Sequence, residues 1–417
     1  MSILAINAGS SSLKFGLFDD ETCEPLVTGE IDWAGGNREQ AQLVVRPRQG
    51  TIVRSRVPVP DNSAAAARAL QVAVDSTLGA TQGTQTITAV GHRVVHGGEE
   101  FRASTLIDDK VKAAISRLSS LAPLHNPAAL KAIEAAEAAL PGVPQVAVFD
   151  TTFYASLPPK ACLYPVPYEW YHQWGVRRFG FHGISHAYCV NRAGELLKRD
   201  SAQLRIISCH LGGGCSAAAV RGGVAVATSG GFSPLDGLMM GTRCGSIDPG
   251  ILLHLQRQHG VGHQDLDRTL NHSSGLLGVS GVSADLAQIE VAAAQGNKRA
   301  RLAFEMFADR VRSSIGALAV TLGGLDAVIF TDRIGEHSPA LRAAVCEGLQ
   351  VIGVRLDSQS NTASRPDVDI AAADSPARIL VIHTEEELMV ARETRRVAGR
   401  NVVAAASAEQ GQAITVH

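Results

Sequence analysis

The feature that most constrains the fold is a stretch near the start of the chain, residues 4–18, which read LAINAGSSSLKFGLF. An apolar run leads into a turn of small and hydroxyl-bearing residues, and a second apolar run leads out, which predicts strand, tight turn and strand. Small residues let backbone N–H groups approach an anion, hydroxyls donate to its oxygens, and Lys14 adds a positive charge. The turn therefore predicts either a phosphate-binding loop or an ordinary polar hairpin. It is not a Walker loop, because no Gly-Lys-Ser/Thr sequence enters a helix.

A second stretch of the same design lies at residues 205–220, which read RIISCHLGGGCSAAAV. It again runs from an apolar strand through a glycine and serine turn into another apolar strand. Two such hairpins indicate a duplicated domain, in which each half brings a phosphate loop to a shared cleft. The alternative is a coincidental pair of glycine-rich hairpins.

Strands alternate with helices through the rest of the chain. Residues 86–95 predict a buried strand that delivers Arg93 to a glycine loop, and residues 145–149 predict another that ends at Asp150. Asp108 and Asn126 are typical N-cap residues, and they predict the starts of two helices between these strands. Because motifs stand at strand ends, the pattern predicts an α/β fold with ligands outside the carboxyl ends of the strands.

Composition limits the classes of function. The chain has 417 residues, which suggests two or three domains, and its net charge of −2 gives no basic field for nucleic acid or a membrane surface. No uncharged apolar run reaches about 18 residues, so we expect no membrane-spanning helix. The first residues lack the pattern of a signal peptide, and the seven cysteines form no CxxC pair. We therefore expect a cytoplasmic protein with reduced thiols.

Ten short sequence blocks occur in this chain in a fixed order. They read NAGSSSLKF, GHRVVHGG, APLHNP, VFDT, FGFHGISH, HLGGG, GFSPLDGLMMGTR, SGVSAD, FTDRIGE and TEEELMVA. Together they resemble the acetate kinase family, within the superfamily of acetate and sugar kinases, chaperone ATPases and actin, over almost the whole chain. The resemblance implies an α/β fold of two duplicated actin-like (ribonuclease H-like) domains flanking a nucleotide cleft. One domain would comprise residues 1–150 with a returning C-terminal helix in 386–417, and the other, residues 151–385, would carry the nucleotide site.

The activity that this resemblance implies is reversible, Mg²⁺-dependent phosphoryl transfer from ATP to acetate, giving acetyl phosphate and ADP, with Mn²⁺ as a substitute metal. Propionate is an expected second substrate, since a pocket discriminates against one methylene only about 10–200-fold. The family also implies a homodimer. Two alternatives stay open: a carboxylate kinase that uses GTP or pyrophosphate as phosphoryl donor, and a catalytically idle nucleotide-binding relative.

The resemblance assigns roles to individual residues. Arg93 and Arg243 match the two active-site arginines, His182 the transition-state histidine, His125 a supporting histidine, and Asp150 an acid that places metal or arginine. The matched acyl-binding residues are Arg93, Val95, Leu124, Phe181 and Pro234. The matched metal residues are Asn7 and Glu386. The matched phosphate and nucleotide residues are Ser10, Ser12, Lys14, His210, Gly212, Gly213, Gly214, Asp285, Leu286, Arg333, Gly335 and His337. For His92, His96 and His186 we expect structural roles only.

The chain departs from the family pattern chiefly around the nucleotide. The departures are Gly213 for Asn, Ser246 for Asp, Ala287 for Arg, Glu385 for Asn, and Asp332, Arg333 and His337 in an adenosine loop that usually has small residues and Asn. They leave the matched catalytic residues in place. Nucleotide choice is therefore the open point, and Arg333 could clash with adenine, stack on it or point to solvent.

Overall fold

The computed structural model describes residues 1–9, 11–33, 37–79, 86–363 and 365–412, with side chains except for residues 77–79 and 400–412. The chain divides into two compact units. The first unit comprises Met1–Thr152 and Glu385–His417, and the second comprises Phe153–Thr384.

The strands of the described chain form two mixed sheets. They are β1 (Ser2–Ala8), β2 (Ser12–Asp19), β3 (Pro25–Asp32), β4 (Ala41–Pro47), β5 (Val53–Val57), β6 (Ile87–Val94), β7 (Thr105–Leu106), β8 (Gln145–Phe149), β9 (Arg205–Leu211), β10 (Cys215–Arg221), β11 (Val224–Thr228), β12 (Ala327–Thr331), β13 (Val368–Asp369) and β14 (Arg378–Ile382). In the described chain the first sheet has the order β5-β4-β3-β2-β1-β6-β8-β7, and the second has the order β11-β10-β9-β12-β14-β13.

The two sheets share one plan. In the first unit β3, β2 and β1 are antiparallel neighbours, and β1 then pairs in parallel with β6, which pairs in parallel with β8. In the second unit β11, β10 and β9 are antiparallel neighbours, and β9 pairs in parallel with β12, which pairs in parallel with β14. The two glycine-rich hairpins are β1–β2 and β9–β10, so they occupy equivalent places. The α/β fold with a duplicated core is thus confirmed, and the coincidental pair of hairpins is excluded.

Helices occupy the connections between the strands. They are α1 (Asn62–Gly79), α2 (Asp109–Leu118), α3 (Asn126–Ala139), α4 (Pro159–Cys162), α5 (Tyr168–Trp174), α6 (Gly183–Leu197), α7 (Pro249–His259), α8 (His263–His272), α9 (Gly275–Ser280), α10 (Leu286–Ala294), α11 (Lys298–Leu322), α12 (Asp332–His337), α13 (Pro339–Cys346), α14 (Ser358–Ala363) and α15 (Glu386–Gln412). No helix of the described residues is long and apolar enough to cross a membrane.

Each sheet has a buried apolar core. In the first unit, alanines of α1 and α3 pack on apolar residues of β1 and β2, and α15 packs against β1, β6 and β8. In the second unit, the apolar face of α11 packs on β9 and β10, and α6 packs against β9, β12 and β14. Close packing of helices against strands holds the strand ends, and the residues on them, in fixed positions.

The helix caps were predicted correctly at Asp108 and wrongly at Asn126. Asp108 is an N-cap whose carboxylate accepts a hydrogen bond from the backbone of Val111. Asn126 is instead the first helical residue of α3, and His125 occupies the cap position. The Asn126 amide is used elsewhere, because it exchanges two hydrogen bonds with the backbone of His96, at 3.1 and 3.0 Å.

Candidate active site

In the first unit, three carboxylates surround one arginine. Arg93 stands near the end of β6, and Asp150 directly follows β8, the neighbouring parallel strand. The Arg93 guanidinium donates to Asp150 through Nη2 at 2.8 Å and through Nε at 3.2 Å. Its Nη1 lies 3.2 Å from Glu386, the first residue of α15. Burial alone would lower the pKa of Arg93, but the charges of Asp150, Glu386 and Glu387 raise it above its ordinary value. The guanidinium therefore stays charged and held at a fixed orientation.

Asn7 connects the first glycine-rich hairpin to this cluster. Its Oδ1 accepts from Arg93 at 3.1 Å, and its Nδ2 donates to Glu386 at 2.9 Å and to Glu387 at 3.0 Å. Glu386 is only 7% exposed. Its carboxylate is therefore not merely a solvated cap of the last helix.

The rest of this hairpin follows the sequence prediction. The antiparallel register places Lys14 opposite Asn7, and the turn closes with the Gly9 amide donating to the Ser12 carbonyl at 2.8 Å. Ser10, assigned to phosphate binding, lies outside the described residues.

The polar groups around Asn7 are a candidate site for a divalent metal ion. Glu386 and Glu387 offer carboxylate oxygens, which Mg²⁺ prefers, while the amide oxygen of Asn7 accepts from Arg93. Within the described part of the chain, no three His, Cys, Asp or Glu side chains form a group that could hold a metal ion. Magnesium commonly takes one or two protein carboxylates and completes its shell with water and substrate phosphates. The residues therefore fit a magnesium ion that arrives with a phosphate ligand.

The other predicted residues of the first unit lie near the same strand end. Val95 follows β6 directly and is buried. Leu124 and His125 immediately precede α3 and are half-buried. This helix start is tied to the Arg93 loop through the Asn126–His96 hydrogen bonds.

In the second unit, His182 stands at the start of α6 in a strained conformation. It is the N-cap residue of this helix and adopts the left-handed region, with φ of 55°. Such a conformation costs a non-glycine residue of order 1–3 kcal/mol and is concentrated at functional sites. The strain directs the imidazole toward the second glycine-rich hairpin, where its ring stacks on His210 at a centroid distance of 4.1 Å.

The second predicted phosphate loop, residues 212–214, turns between β9 and β10. The Gly212 amide donates to the Gly214 carbonyl at 3.1 Å. A Cβ at Gly212 would overlap the Asp332 carboxylate, so the observed position of that carboxylate depends on glycine there. A Cβ at Gly213 would meet no atom within 4 Å. The asparagine that the family usually has at this position would therefore begin in open space, and a steric clash does not explain the glycine.

Arg243 contrasts with Arg93. It is half-buried, its Nη1 lies 3.3 Å from the Pro234 carbonyl, and burial lowers its pKa. Among the described residues no carboxylate forms an ion pair with it. A desolvated guanidinium without a carboxylate partner is a strong binding group for an anionic ligand.

His182 and Arg243 converge on one glycine of the phosphate loop. A Cβ at Gly214 would lie 3.1 Å from His182 Nε2 and 3.5 Å from Arg243 Nη1. A histidine ring nitrogen and a guanidinium are thus gathered at one point. This combination suits the equatorial oxygens of a phosphoryl group.

The residues assigned to the nucleotide lie on α10 and α12. Asp285 is the N-cap of α10 and forms an ion pair with Arg333, whose side chain is 71% exposed. His337 Nδ1 lies 3.0 Å from the Arg333 carbonyl. Leu286 is buried in the core, and Gly335 is buried within α12. Arg333 therefore points along the surface toward Asp285 and not into the core.

Sequence reasoning missed several polar residues of the site. Glu387 contacts Asn7, Asp332 lies 3.2 Å from His210 Nε2, and Ser216 lies 2.8 Å from His182 Nδ1. The hairpin register places Ser216 opposite His210, but the Ser216 contact with His182 depends on how α6 packs against the hairpin. The Asp332 contact depends on its left-handed backbone, with φ of 63°, which a sequence does not reveal.

Comparison with known proteins decides the family. The profile of the Acetokinase family matches residues 2–392. The chain belongs to the acetokinase family. It is 50% identical to the acetate kinase of Gloeobacter violaceus, over 94% of this chain and 98% of that protein. The acetate kinase of a Cyanothece strain is 48% identical, over 94% of this chain and 97% of that protein.

Solved structures of this family agree in fold. Porphyromonas gingivalis acetate kinase superposes with a TM-score of 0.85 at 39% identity, covering 95% of this chain and 99% of that one. A propionate kinase from Francisella tularensis superposes with a TM-score of 0.86 at 36% identity, with the same coverage. The acetokinase family consists of phosphotransferases with a carboxyl group as acceptor, so the predicted enzyme class is confirmed.

Proposed function

We propose that this chain catalyses the reversible transfer of the γ-phosphoryl group of ATP to acetate, giving acetyl phosphate and ADP. The observation that carries the proposal is the convergence of His182 Nε2 and Arg243 Nη1 beside Gly214, in a member of the acetokinase family. The relatives named above are acetate kinases, and one structural neighbour is a propionate kinase.

The acceptor needs no general base. Acetate is ionised near pH 7, so its carboxylate oxygen attacks the γ-phosphorus directly while the bond to the ADP oxygen breaks. The enzyme's work is to hold two anions together and to neutralise the transferring group. We assign Arg93 to the acetate carboxylate, and His182 and Arg243 to the oxygens of the phosphoryl group. Asp150 fixes the orientation of Arg93.

The apolar residues Val95, Leu124, Phe181 and Pro234 form the acyl-binding set in this proposal. Val95 and Phe181 are buried, and Leu124 and Pro234 are half-buried. We assign His125 a supporting role beside this set. Small apolar surfaces favour a methyl or ethyl group.

The adenosine part of the nucleotide belongs, in this proposal, to the second unit. We assign the nucleotide's phosphates to the loops that hold Ser10, Ser12, Lys14 and Gly212–Gly214, and its adenosine to the surface of Asp285, Leu286, Arg333, Gly335 and His337. Mg²⁺, or Mn²⁺ in its place, would be held by Glu386 and Asn7 and would supply positive charge to the phosphates. We further propose the two units as the functional domains, a homodimeric assembly, and a cytoplasmic location, which the free thiols of the described cysteines support.

A hydroxamate assay tests the activity. The purified full-length protein with ATP, Mg²⁺, acetate and hydroxylamine is expected to form acetyl hydroxamate, and to form none when acetate is omitted. The control is a circular dichroism spectrum that shows a folded chain. If such protein gives no product above the blank, the proposal is wrong.

The same assay examines the phosphoryl donor. The comparisons give no support for GTP or pyrophosphate, although the Arg333 and His337 departures first raised that alternative. We expect ATP to give the highest kcat/KM of the three donors. A higher kcat/KM with pyrophosphate would overturn the assignment of the nucleotide surface.

A further inference from the structure

Behind His182 runs a chain of buried hydrogen bonds from β9 through α6 to β10. Ser208 Oγ lies 2.8 Å from His186 Nδ1, and His186 Nε2 lies 2.9 Å from Ser216 Oγ. Ser216 Oγ in turn lies 2.8 Å from His182 Nδ1. Ser208 and His186 are 0% exposed, and Ser216 is 1% exposed. Hydrogen bonds in such a dry setting must be satisfied in a consistent direction.

The direction is set at the Ser208 end. Among the described residues, His186 is the hydrogen-bond partner of the Ser208 hydroxyl. A buried O–H without an acceptor costs about 1–3 kcal/mol, so the hydroxyl donates to His186 Nδ1. Burial, aided by His210, lowers the pKa of His186 well below its ordinary value, so its ring is neutral. Its one ring proton is therefore on Nε2 and is donated to Ser216.

Ser216 then has one hydrogen to give and two acceptors in reach. His182 Nδ1 lies at 2.8 Å, and the Phe181 carbonyl lies at 3.3 Å. The Phe181 carbonyl already accepts from the Tyr154 hydroxyl at 2.9 Å. An O–H donor prefers about 2.7–2.8 Å, so the Ser216 hydrogen goes to His182 Nδ1.

We propose that Ser208, His186 and Ser216 are positioning residues that keep the proton of neutral His182 on Nε2, the atom that faces Gly214. His182 is thereby ready to donate a hydrogen bond at the phosphate loop without first becoming charged. His186, expected from sequence to be structural only, sets the tautomer of its neighbour. The tautomer itself is independent of the proposed function, and only its use on a phosphoryl oxygen rests on that function.

The direct test is a long-range ¹H–¹⁵N correlation spectrum of the full-length protein labelled with [¹⁵N]histidine, at a pH where His182 is neutral. Its signals are identified by their loss in His182→Gln. We expect a protonated Nε2 and an unprotonated Nδ1 in the wild-type protein. A proton on Nδ1 would overturn the proposal.

Variants test the chain of hydrogen bonds. Ser216→Ala is expected to shift His182 toward the tautomer with the proton on Nδ1, and an unchanged His182 spectrum would contradict this. If Ser216→Ala does not fold, Ser208→Ala tests the other end, where it should disturb the tautomer of His186. Ser185→Ala is the matched control. It removes the hydroxyl 2.9 Å from His210 Nδ1 and should alter His210 but not the His182 tautomer.

Kinetics provide the second readout. Ser216→Ala should lower kcat roughly tenfold with little change in KM for ATP or acetate, since about one hydrogen bond is lost. Ser216→Thr keeps the hydroxyl and should restore kcat. A rise in KM alone, or no rescue by threonine, would overturn the positioning role. If wild-type protein makes no acetyl phosphate, the proposed function fails, while the spectra still decide the tautomer.

Discussion

The two arginines of the candidate site have opposite electrostatic environments. Arg93 is held by Asp150, Glu386 and Asn7, so much of its charge is balanced before any ligand binds. Arg243 is desolvated, and no carboxylate of the described chain forms an ion pair with it. A fixed, balanced guanidinium suits a ground-state carboxylate, whereas an unbalanced one is stabilised most by the charge of a transferring phosphoryl group. This difference is the physical basis on which we propose separate roles for the two residues.

Gly213 carries a prediction at the same scale. There is room for a side chain, so Gly213→Asn should fold normally and add an amide donor to the phosphate loop. We expect KM for ATP to fall about threefold to tenfold, the worth of roughly one hydrogen bond, with kcat within about twofold of wild type.

Gly213→Ala is the matched control, since it fills part of the same space without a donor. It should leave KM unchanged. Equal effects of alanine and asparagine would show that the amide does not meet a phosphate.

At the residue scale, some contacts between the candidate residues were predictable from the sequence and others were not. The neighbouring strand ends made the approach of Arg93 and Asp150 predictable, because parallel strands present their carboxyl ends at one edge. The contact of Asp332 with His210 was not predictable. It depends on a left-handed backbone at Asp332 and on the absence of a side chain at Gly212. Backbone strain of this kind is decided by tertiary packing and not by local propensity.

Among the elements, α12 is held from behind by a buried arginine. Arg342 of α13 is 0% exposed and donates to the carbonyls of Gly335 and Glu336, each at 2.8 Å. It also donates to the side chain of Asn361 at 2.8 Å and to its carbonyl at 3.0 Å. Burial lowers the pKa of Arg342 to about 10, which still leaves it charged at pH 7. One side chain thus fixes the C-terminal turn of the helix that begins at Asp332.

Removal of this side chain should be costly. Arg342→Ala leaves several buried carbonyls without donors, and we expect the free energy of unfolding to fall by on the order of 4 kcal/mol. Urea denaturation followed by circular dichroism measures the change.

Arg355→Ala serves as the comparison, because Arg355 is 47% exposed and forms an exposed ion pair with Asp374. Its effect should stay within about 0.5 kcal/mol. Similar losses in the two variants would mean that Arg342 does not hold α12.

Elements were the level at which sequence reasoning was most successful. Both glycine-rich hairpins follow directly from apolar periodicity and turn residues. The helix cap at Asn126 failed because the amide that could cap its own helix binds the backbone of His96 instead. An N-cap predicted from local sequence does not form when the capping side chain hydrogen-bonds to a distant part of the chain instead.

For the whole molecule, the repeated strand order explains why one chain has two similar glycine-rich loops. Each unit places such a loop at the same hairpin of its sheet, but equips it differently. The first lies beside Asn7 and the carboxylates of Glu386 and Glu387, and the second lies beside His182, His210 and Arg243. The repeated strand order thus accounts for the two loops, and the surrounding side chains account for the difference between them.

We expect these residues to transfer a phosphoryl group between a nucleotide and acetate. The most direct test is formation of ATP from ADP and acetyl phosphate with Mg²⁺, followed by luciferase luminescence, for wild-type protein and Arg243→Ala. We expect rapid ATP formation by the wild type, and a kcat lower by about 10²–10³-fold in the variant with a much smaller change in ADP affinity. No ATP from folded wild-type protein, or losses of equal size in kcat and ADP affinity, would contradict the account.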